Sequence, residues 1–130
     1  LAEDYLKNAI RLDSSQMEAF YGLGLYYQES GDFEEAKEMY RQIIRKDQNF
    51  ARAFFNMGYI YNEQDSLQQA KNYFDIAVQV EPAYADAYYM RGYVSEQQGL
   101  PEDAARDYRQ ALNIDPEHEL SQQGLERLAS

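Results

Sequence analysis

The chain of 130 residues contains no cysteine, no threonine and a single histidine. Without cysteine it can form neither a disulfide framework nor a zinc-thiolate site, and the redox compartment stays open. His118, which we expect to be exposed in the first turn of a helix, leaves no histidine pair for a metal and no obvious base for a nucleophile. The sequence therefore predicts a protein that is not an enzyme and uses no metal or cofactor.

Basic residues are also scarce. There are 12 Lys and Arg against 23 Asp and Glu, which gives a net charge of −11. A charge of this sign opposes nucleic acid and anionic membrane surfaces. No stretch approaches the roughly 18 apolar residues of a membrane-spanning helix, and no signal segment opens the chain. We expect no nucleic acid partner and no membrane insertion, whereas cytoplasmic and exported locations are both compatible.

Apolar residues do occur, at helical spacing. In residues 51–84 two apolar blocks follow offsets of 0, 3, 4 and 7, and Gln64-Asp65-Ser66 separates them. Each block predicts an amphipathic helix, so the unit is a helical hairpin that ends before Pro82. We further expect side-chain caps with a supporting acid or amide three residues on, namely Ser15 with Glu18, Asp32 with Glu35, and Ser66 with Gln69.

The same residue classes return every 34 positions along the chain. The recurring sets are Phe20, Phe54 and Tyr88; Gly24, Gly58 and Gly92; Ala36, Ala70 and Ala104; and Tyr40, Phe74 and Tyr108. Such a period is typical of stacked hairpins, because one 34-residue hairpin cannot bury a core alone. The interior glycines predict close helix approach against the aromatic residues.

This register divides the chain into one domain of successive units. We place a half repeat at residues 1–16, full repeats at 17–50, 51–84 and 85–118, and a C-terminal capping helix at 116–130. The half repeat carries the stripe of a second helix with Leu6, Ala9 and Ile10, so we expect further repeats upstream in a longer parent protein. The capping helix should turn a polar side outward, formed by Gln122, Gln123, Glu126 and Arg127.

The pattern resembles the tetratricopeptide repeat family over nearly the whole chain. Its succession of aromatic, Leu-Gly, Tyr, Gly-Asp-Tyr and Ala is met here by Phe20, Leu23-Gly24, Tyr27, Gly31-Asp32-Phe33 and Ala36. The resemblance implies an all-α fold, a right-handed superhelical solenoid of antiparallel helix hairpins. It also implies that the first helix of each hairpin lines a concave surface that grips peptides.

Carried over residue by residue, the resemblance predicts a groove. Its residues are Glu18, Tyr21, Gly22, Leu25, Arg52, Phe55, Asn56, Tyr59, Asp86, Tyr89, Met90 and Tyr93. Five of these twelve are aromatic, which suits anchors for a partner peptide. The alternative is that the rings only pack between adjacent helices. Glu29, Glu63 and Glu96 border the groove and predict a preference for neutral or basic ligands.

One family subtype holds a chaperone Glu-Glu-Val-Asp tail with a clamp of basic residues and asparagines. Of that set only Asn56 is matched, since Tyr21 and Asp86 stand where lysine is expected and Met90 where arginine is expected. We therefore predict that the chain does not bind such tails. Arg91 also departs from the repeat, and we expect it to reach an acid such as Glu119 or Glu126.

Together these observations favour a non-catalytic protein interaction scaffold that binds a partner's peptide segment in an aromatic, acid-edged concave groove. A second hypothesis is a structural or self-assembly module. In that case copies would associate through the exposed terminal helices, above all through the N-terminal half repeat.

Overall fold

The computed structural model of the chain describes residues 14–130, and within this range it contains seven α-helices and no strand. The helices are α1 (Ser14–Glu29), α2 (Phe33–Lys46), α3 (Ala51–Glu63), α4 (Leu67–Val80), α5 (Ala85–Gln97), α6 (Pro101–Ile114) and α7 (Glu119–Ala129). The predictions for Leu6, Ala9 and Ile10 of the half repeat lie outside the described residues.

Successive helices pair into three hairpins. Hairpin 1 consists of α1 and α2, hairpin 2 of α3 and α4, and hairpin 3 of α5 and α6, while α7 packs against α6 and α5. Each hairpin contacts the next one through its second helix. The predicted all-α superhelix of stacked hairpins is confirmed.

The two helices of a hairpin meet where a glycine faces a ring. A Cβ atom added to Gly24 would lie 2.5 Å from the Tyr40 ring, and one added to Gly58 would lie 2.8 Å from the Phe74 ring. Both rings are fully buried. The close approach predicted for these glycines is therefore confirmed.

Tyr108 joins hairpin 3 to α7 in the same way. Its ring lies 3.0 Å from the Cβ position of Gly92 on one side and 2.5 Å from that of Gly124 on the other. Because Tyr108 has no exposed surface, it fixes the positions of three helices at once. The terminal helix is thus part of the core of the third hairpin.

Three turns between the helices of a hairpin use left-handed backbone. Gly31 and Gly99 have φ of 82° and 78°, and Asp65 has φ of 59° in the equivalent turn. Glycine adopts this conformation without steric cost, whereas a residue with a Cβ pays about 1 kcal/mol or more. The turn at Asp65 is therefore mildly strained.

The predicted side-chain caps at Asp32 and Ser66 are wrong. Asp32 and Ser66 do precede α2 and α4, but neither makes a side-chain hydrogen bond to the helix. Their φ and ψ angles, −85° and 69° for Asp32, lie outside the extended conformation of a standard N-cap. Ser15 lies inside α1, and Glu18 pairs with Arg52.

The first helices of successive hairpins lie on one side of the stack. There α3 contacts α5 and α5 contacts α7, whereas the second helices of neighbouring hairpins make no comparable contact. A stack curves toward the side on which its elements approach each other. The first helices therefore line the inner, concave side, and we call their faces at residues 18–25, 52–59 and 86–93 the inner surface.

Candidate functional site

Aromatic triads run along the inner surface. The predicted groove residues Tyr21, Phe55 and Tyr89 are their central members, and each contacts one ring from the second helix and one ring from the following loop. The ring centroids lie 5.9 and 5.7 Å apart for Tyr21 with Tyr40 and Phe50, 5.6 and 5.1 Å for Phe55 with Phe74 and Tyr84, and 5.7 and 5.5 Å for Tyr89 with Tyr108 and His118. Much of these three rings is therefore used in packing.

Sequence reasoning missed the loop members of these triads. Phe50, Tyr84 and His118 are 34 residues apart, so the repeat register already contained the signal. Each of them is also the last residue before a first helix. The rings therefore connect each hairpin to the start of the next one.

A second row on the inner surface remains accessible. Leu25 and Tyr93 are half-buried, and Tyr59 is 37% exposed. Tyr93 stacks on Tyr89 at 6.2 Å, which holds its ring in place. These three side chains lie on successive first helices and form an apolar strip that solvent or a ligand can reach.

A third row on the inner surface lies between the aromatic triads and the apolar strip, and it consists of Gly22, Asn56 and Met90. The side chains of this row fill the space to different degrees. A Cβ atom on Gly22 would meet nothing within 4 Å, whereas Asn56 and Met90 are 6% and 8% exposed. Asn56 Nδ2 donates to the Tyr21 hydroxyl at 2.8 Å and to the Arg52 carbonyl at 2.9 Å. The side-chain amide nitrogen of Asn56 is thus engaged inside the chain.

Charged side chains form the edge of the inner surface near the start of the first helices. The Arg52 guanidinium pairs with Glu18 and lies 4.7 Å from the centroids of both the Tyr21 and the Phe50 rings. Burial raises the pKa of Tyr21, although the hydrogen bond from Asn56 opposes this shift. The Tyr21 hydroxyl therefore stays neutral and polar beside a cation.

An open cavity of about 720 Å³ lies at this edge. Met17 and Glu18 of α1, Phe50 and Arg52 near the start of α3, and Tyr84 before α5 all line it. It combines ring faces and a guanidinium with a carboxylate. A cavity of this size holds several residues of a peptide.

The predicted acidic edge is only partly present. Glu29 and Glu63 are exposed, but Glu96 accepts hydrogen bonds from Tyr108 at 2.6 Å and from Arg127 at 2.9 and 3.0 Å. The bonds from Arg127 and Tyr108 lower the pKa of Glu96, and burial opposes them. The repeat explains the difference, because Gln97 and not Glu96 is equivalent to Glu29 and Glu63.

The prediction of an exposed His118 inside a helix is wrong. His118 is the N-cap of α7, where its Nδ1 accepts from the Ser121 amide at 3.3 Å. Its Nε2 lies 2.7 Å from Asp86 Oδ1, and the side chain is 9% exposed. Asp86 of the predicted groove is thereby held at the start of α5 by the loop that precedes α7.

The predicted partner of Arg91 is also wrong. Arg91 makes bonds of 2.9 and 2.7 Å to Asp107 and one of 3.0 Å to Asp75, and it does not contact Glu119 or Glu126. These bonds and charges raise the pKa of Arg91. The two aspartates lie on the second helices of hairpins 2 and 3, which the spacing on α5 alone could not show. In the same way Arg127, placed on the polar side of α7, turns inward to Glu96.

The described residues give no support for a metal site or for a membrane-spanning helix. Across residues 14–130, no group of three or more His, Asp or Glu side chains could hold a metal ion. None of the helices in this range combines the length and apolar character required to cross a bilayer.

The fold and the inner surface define a class, the helical-repeat proteins whose hairpins stack into a solenoid. A sequence profile of the tetratricopeptide repeat matches residues 21–70 and 63–119. The chain belongs to the tetratricopeptide repeat family. Among curated proteins, no sequence relative matches the chain.

Solved structures with a similar fold include three of different origin. The tetratricopeptide repeat domain of Arabidopsis OM64 has a TM-score of 0.82 and 23% identity, covering 87% of this chain and 93% of that domain. The first such domain of Spaghetti (RPAP3), bound to the HSP90 peptide SRMEEVD, has a TM-score of 0.84 and 22% identity, with 90% and 93% covered. MamA has a TM-score of 0.81 and 25% identity, with 95% and 72% covered.

A further structure, the second domain of human RPAP3 in complex with the HSP70 peptide SGPTIEEVD, has a TM-score of 0.83 and 20% identity, with 90% of this chain and 98% of that domain covered. This complex and the HSP90 complex overturn our prediction that Glu-Glu-Val-Asp tails are excluded. The prediction rested on Tyr21, Asp86 and Met90 at places where basic residues are expected, whereas the structure places the basic side chain of Arg52 beside the same surface.

Proposed function

We propose that the chain is a non-catalytic interaction scaffold that binds a peptide segment of a partner protein along its inner surface. The observation that supports this most is the apolar strip of Leu25, Tyr59 and Tyr93, which stays accessible on three successive first helices. Apolar side chains left outside a core suit anchors for a ligand, because a few such contacts carry most of the affinity of an interface.

The charged edge beside the strip suits the polar groups of a peptide. The cavity of about 720 Å³ contains Arg52, held between the Tyr21 and Phe50 rings, and Glu18. A guanidinium fixed by two rings can donate to a backbone carbonyl or to a carboxylate with little further loss of conformational freedom. On the opposite edge, Glu29 and Glu63 can accept from amides or from basic side chains.

The experiment uses defined peptides and matched variants. The two peptides SRMEEVD and SGPTIEEVD, together with peptides selected from a random phage-displayed library, are titrated against the full chain by fluorescence polarisation. We expect at least one to bind with saturation. The double variant Tyr59→Ala, Tyr93→Ala should weaken that binding about tenfold or more, since an anchor contributes roughly 2 kcal/mol.

Tyr26→Ala provides the control. Its side chain is 63% exposed and lies off the inner surface, so peptide affinity should stay unchanged. Phe55 and Tyr89 are unsuitable for this test, because each belongs to an aromatic triad and its loss would also weaken packing. The proposal fails if no peptide binds with saturation, or if the double variant binds as tightly as the unmodified chain.

A further inference from the structure

A small cleft lies on the outer side of the stack, away from the inner surface. Its volume is about 280 Å³, and it is lined by Lys71 and Asp75 of α4, Arg91 and Ser95 of α5, and Asp103, Arg106 and Asp107 of α6. We call it the outer cleft. It lies between hairpins 2 and 3, and the peptide strip uses none of its residues.

The repeat provides an internal comparison for this cleft. Lys37, the equivalent of Lys71 one hairpin earlier, lies 2.9 Å from Glu34 Oε2, 3.2 Å from Gln64 Oε1 and 4.6 Å from the centroid of the Tyr61 ring. The ammonium group there has a carboxylate, an amide and a ring face. This arrangement shows which chemistry satisfies a lysine at this place in the fold.

Lys71 keeps only one of these three partners. Its Nζ donates to Gln98 Oε1 at 3.3 Å. Gln68 replaces the carboxylate of Glu34, and Ser95 replaces the ring of Tyr61. Among the described residues, no carboxylate oxygen comes within ion-pair distance of Lys71, whereas Lys37 has one.

Ser95 adds a second unsatisfied group at the same place. Its side chain is completely buried, and its Oγ has no hydrogen-bond partner. A buried hydroxyl without a partner destabilises the folded chain, because it has lost its hydrogen bonds to water. Ser95 lines the outer cleft but its Oγ has no accessible surface, so a group that enters there reaches the hydroxyl when the side chains around it move apart.

The other charges of the cleft are already paired with each other. Arg91 binds Asp107 and Asp75, with its closest contact of 2.7 Å to Asp107. Arg106 lies 3.0 Å from Asp103. The donors left without an anionic acceptor are therefore the Lys71 ammonium and the Ser95 hydroxyl.

We propose that the outer cleft is a second binding site, which takes a carboxylate group between Lys71 Nζ and Ser95 Oγ. The carboxylate supplies the acceptor that Glu34 provides to Lys37 in the preceding hairpin. Its source is either a small carboxylic acid or a glutamate or aspartate side chain of a partner, and 280 Å³ admits both.

The test is a titration of the isotope-labelled full chain, followed by NMR of the backbone amides. Acetate represents a free carboxylic acid, glutamate blocked at both backbone ends represents a side chain, and acetamide is the uncharged control. We expect saturable shifts around residues 71 and 95 with at least one carboxylate, and none with acetamide. The carboxylate that binds more tightly identifies the source.

Variants show whether the carboxylate binds in the outer cleft or elsewhere on the surface. Lys71→Gln should weaken carboxylate binding about tenfold and Ser95→Ala about threefold, because a charged donor contributes more than a neutral one. Lys46→Gln, an exposed lysine on α2, should leave it unchanged. If Lys71→Gln perturbs the fold, Ser95→Ala gives the same comparison.

The proposal is overturned if neither carboxylate saturates, if acetamide shifts the same amides equally, or if both cleft variants bind like the unmodified chain. Peptide binding on the inner surface should not change in Lys71→Gln, so the two proposals fail independently.

Discussion

Single glycines set the distance between the helices of a hairpin. Gly24 and Gly22 lie two residues apart on α1, but only Gly24 faces a ring, that of Tyr40. An added methyl group at Gly24 would require a fully buried ring to move. The same methyl group at Gly22 would enter open space.

We predict that Gly24→Ala lowers the free energy of unfolding by about 1 to 3 kcal/mol through overpacking. Gly22→Ala should raise it by up to about 1 kcal/mol, because alanine favours the helix. Chemical denaturation of both variants measures the difference. Equal effects at the two positions would contradict the assigned packing of α1 on α2.

Hairpin 2 lacks a side-chain hydrogen bond that hairpins 1 and 3 both contain. Tyr40 donates to Gln28 Oε1 at 2.8 Å, and Tyr108 donates to Glu96 Oε1 at 2.6 Å. Hairpin 2 has Phe74 and Asn62 at these positions, and Asn62 Oδ1 is buried without a partner. The repeat therefore carries this bond in hairpins 1 and 3 and lacks it in hairpin 2.

We predict that Phe74→Tyr combined with Asn62→Gln restores the bond and stabilises the chain by about 1 kcal/mol. The glutamine is included because the asparagine side chain is one methylene shorter. A double-mutant cycle measured by thermal denaturation reports the coupling. Additive single effects would show that the hydroxyl and the amide do not meet.

At the scale of elements, one ion pair fastens the terminal helix. Arg127 of α7 binds Glu96 of α5, and these bonds lower the pKa of Glu96 below its usual value. A carboxyl group whose pKa is lowered by folding stabilises the folded state above its ordinary pKa. That stabilisation is lost as the pH falls through the lowered pKa.

We predict that Glu96→Gln lowers the unfolding midpoint at pH 7, by an amount that corresponds to about 0.5 to 1 kcal/mol for a partly exposed pair. The difference from the unmodified chain should shrink as the pH falls through the lowered pKa of Glu96. Thermal scans over a series of falling pH values measure it. Glu63→Gln, an exposed change of equal charge, should show no such pH dependence.

Across the whole molecule, contacts join mainly neighbouring helices. Hairpin 1 makes no substantial contact with hairpin 3 or α7, so the stability of each hairpin depends mainly on its immediate neighbours. Removal of α7 would uncover the Tyr108 ring, which Gly124 now covers, and would leave Glu96 without Arg127. The effect should be greatest in the hairpin that α7 contacts.

We predict that a chain truncated after His118 shows faster amide hydrogen exchange in α5 and α6, by about tenfold or more. Exchange in α1 and α2 should change little, because local opening follows local contacts. Hydrogen exchange with mass spectrometry resolves these regions. A uniform increase along the chain would show that the stack unfolds as one unit.

Contacts that recur from one repeat to the next could be predicted from the sequence. The glycine and ring pairs Gly24 with Tyr40 and Gly58 with Phe74 recur at fixed spacing, so the sequence indicated them. The predicted caps at Asp32 and Ser66 do not form. A cap also requires particular backbone angles, and the identity of a side chain does not determine them. The prediction for Arg91 failed because Asp107 of its own hairpin and Asp75 of the preceding hairpin lie on other helices, which the spacing on α5 does not indicate.

On the inner surface, too, some features could be predicted from the repeat and others could not. Its position followed from the repeat, but the use of each ring did not, since Tyr21, Phe55 and Tyr89 pack in triads while Tyr59 stays exposed. The exposure of a ring depends on neighbours that only the stack brings together.

The amino-acid sequence by itself determined that this chain forms stacked helical hairpins, because periodic apolar residues and glycines act within each hairpin. Only the tertiary structure decided that Glu96 binds Arg127, that Arg91 binds Asp75 and Asp107, and that Lys71 and Ser95 face a cleft. Those contacts cross between helices, and their distances depend on how the whole stack is packed.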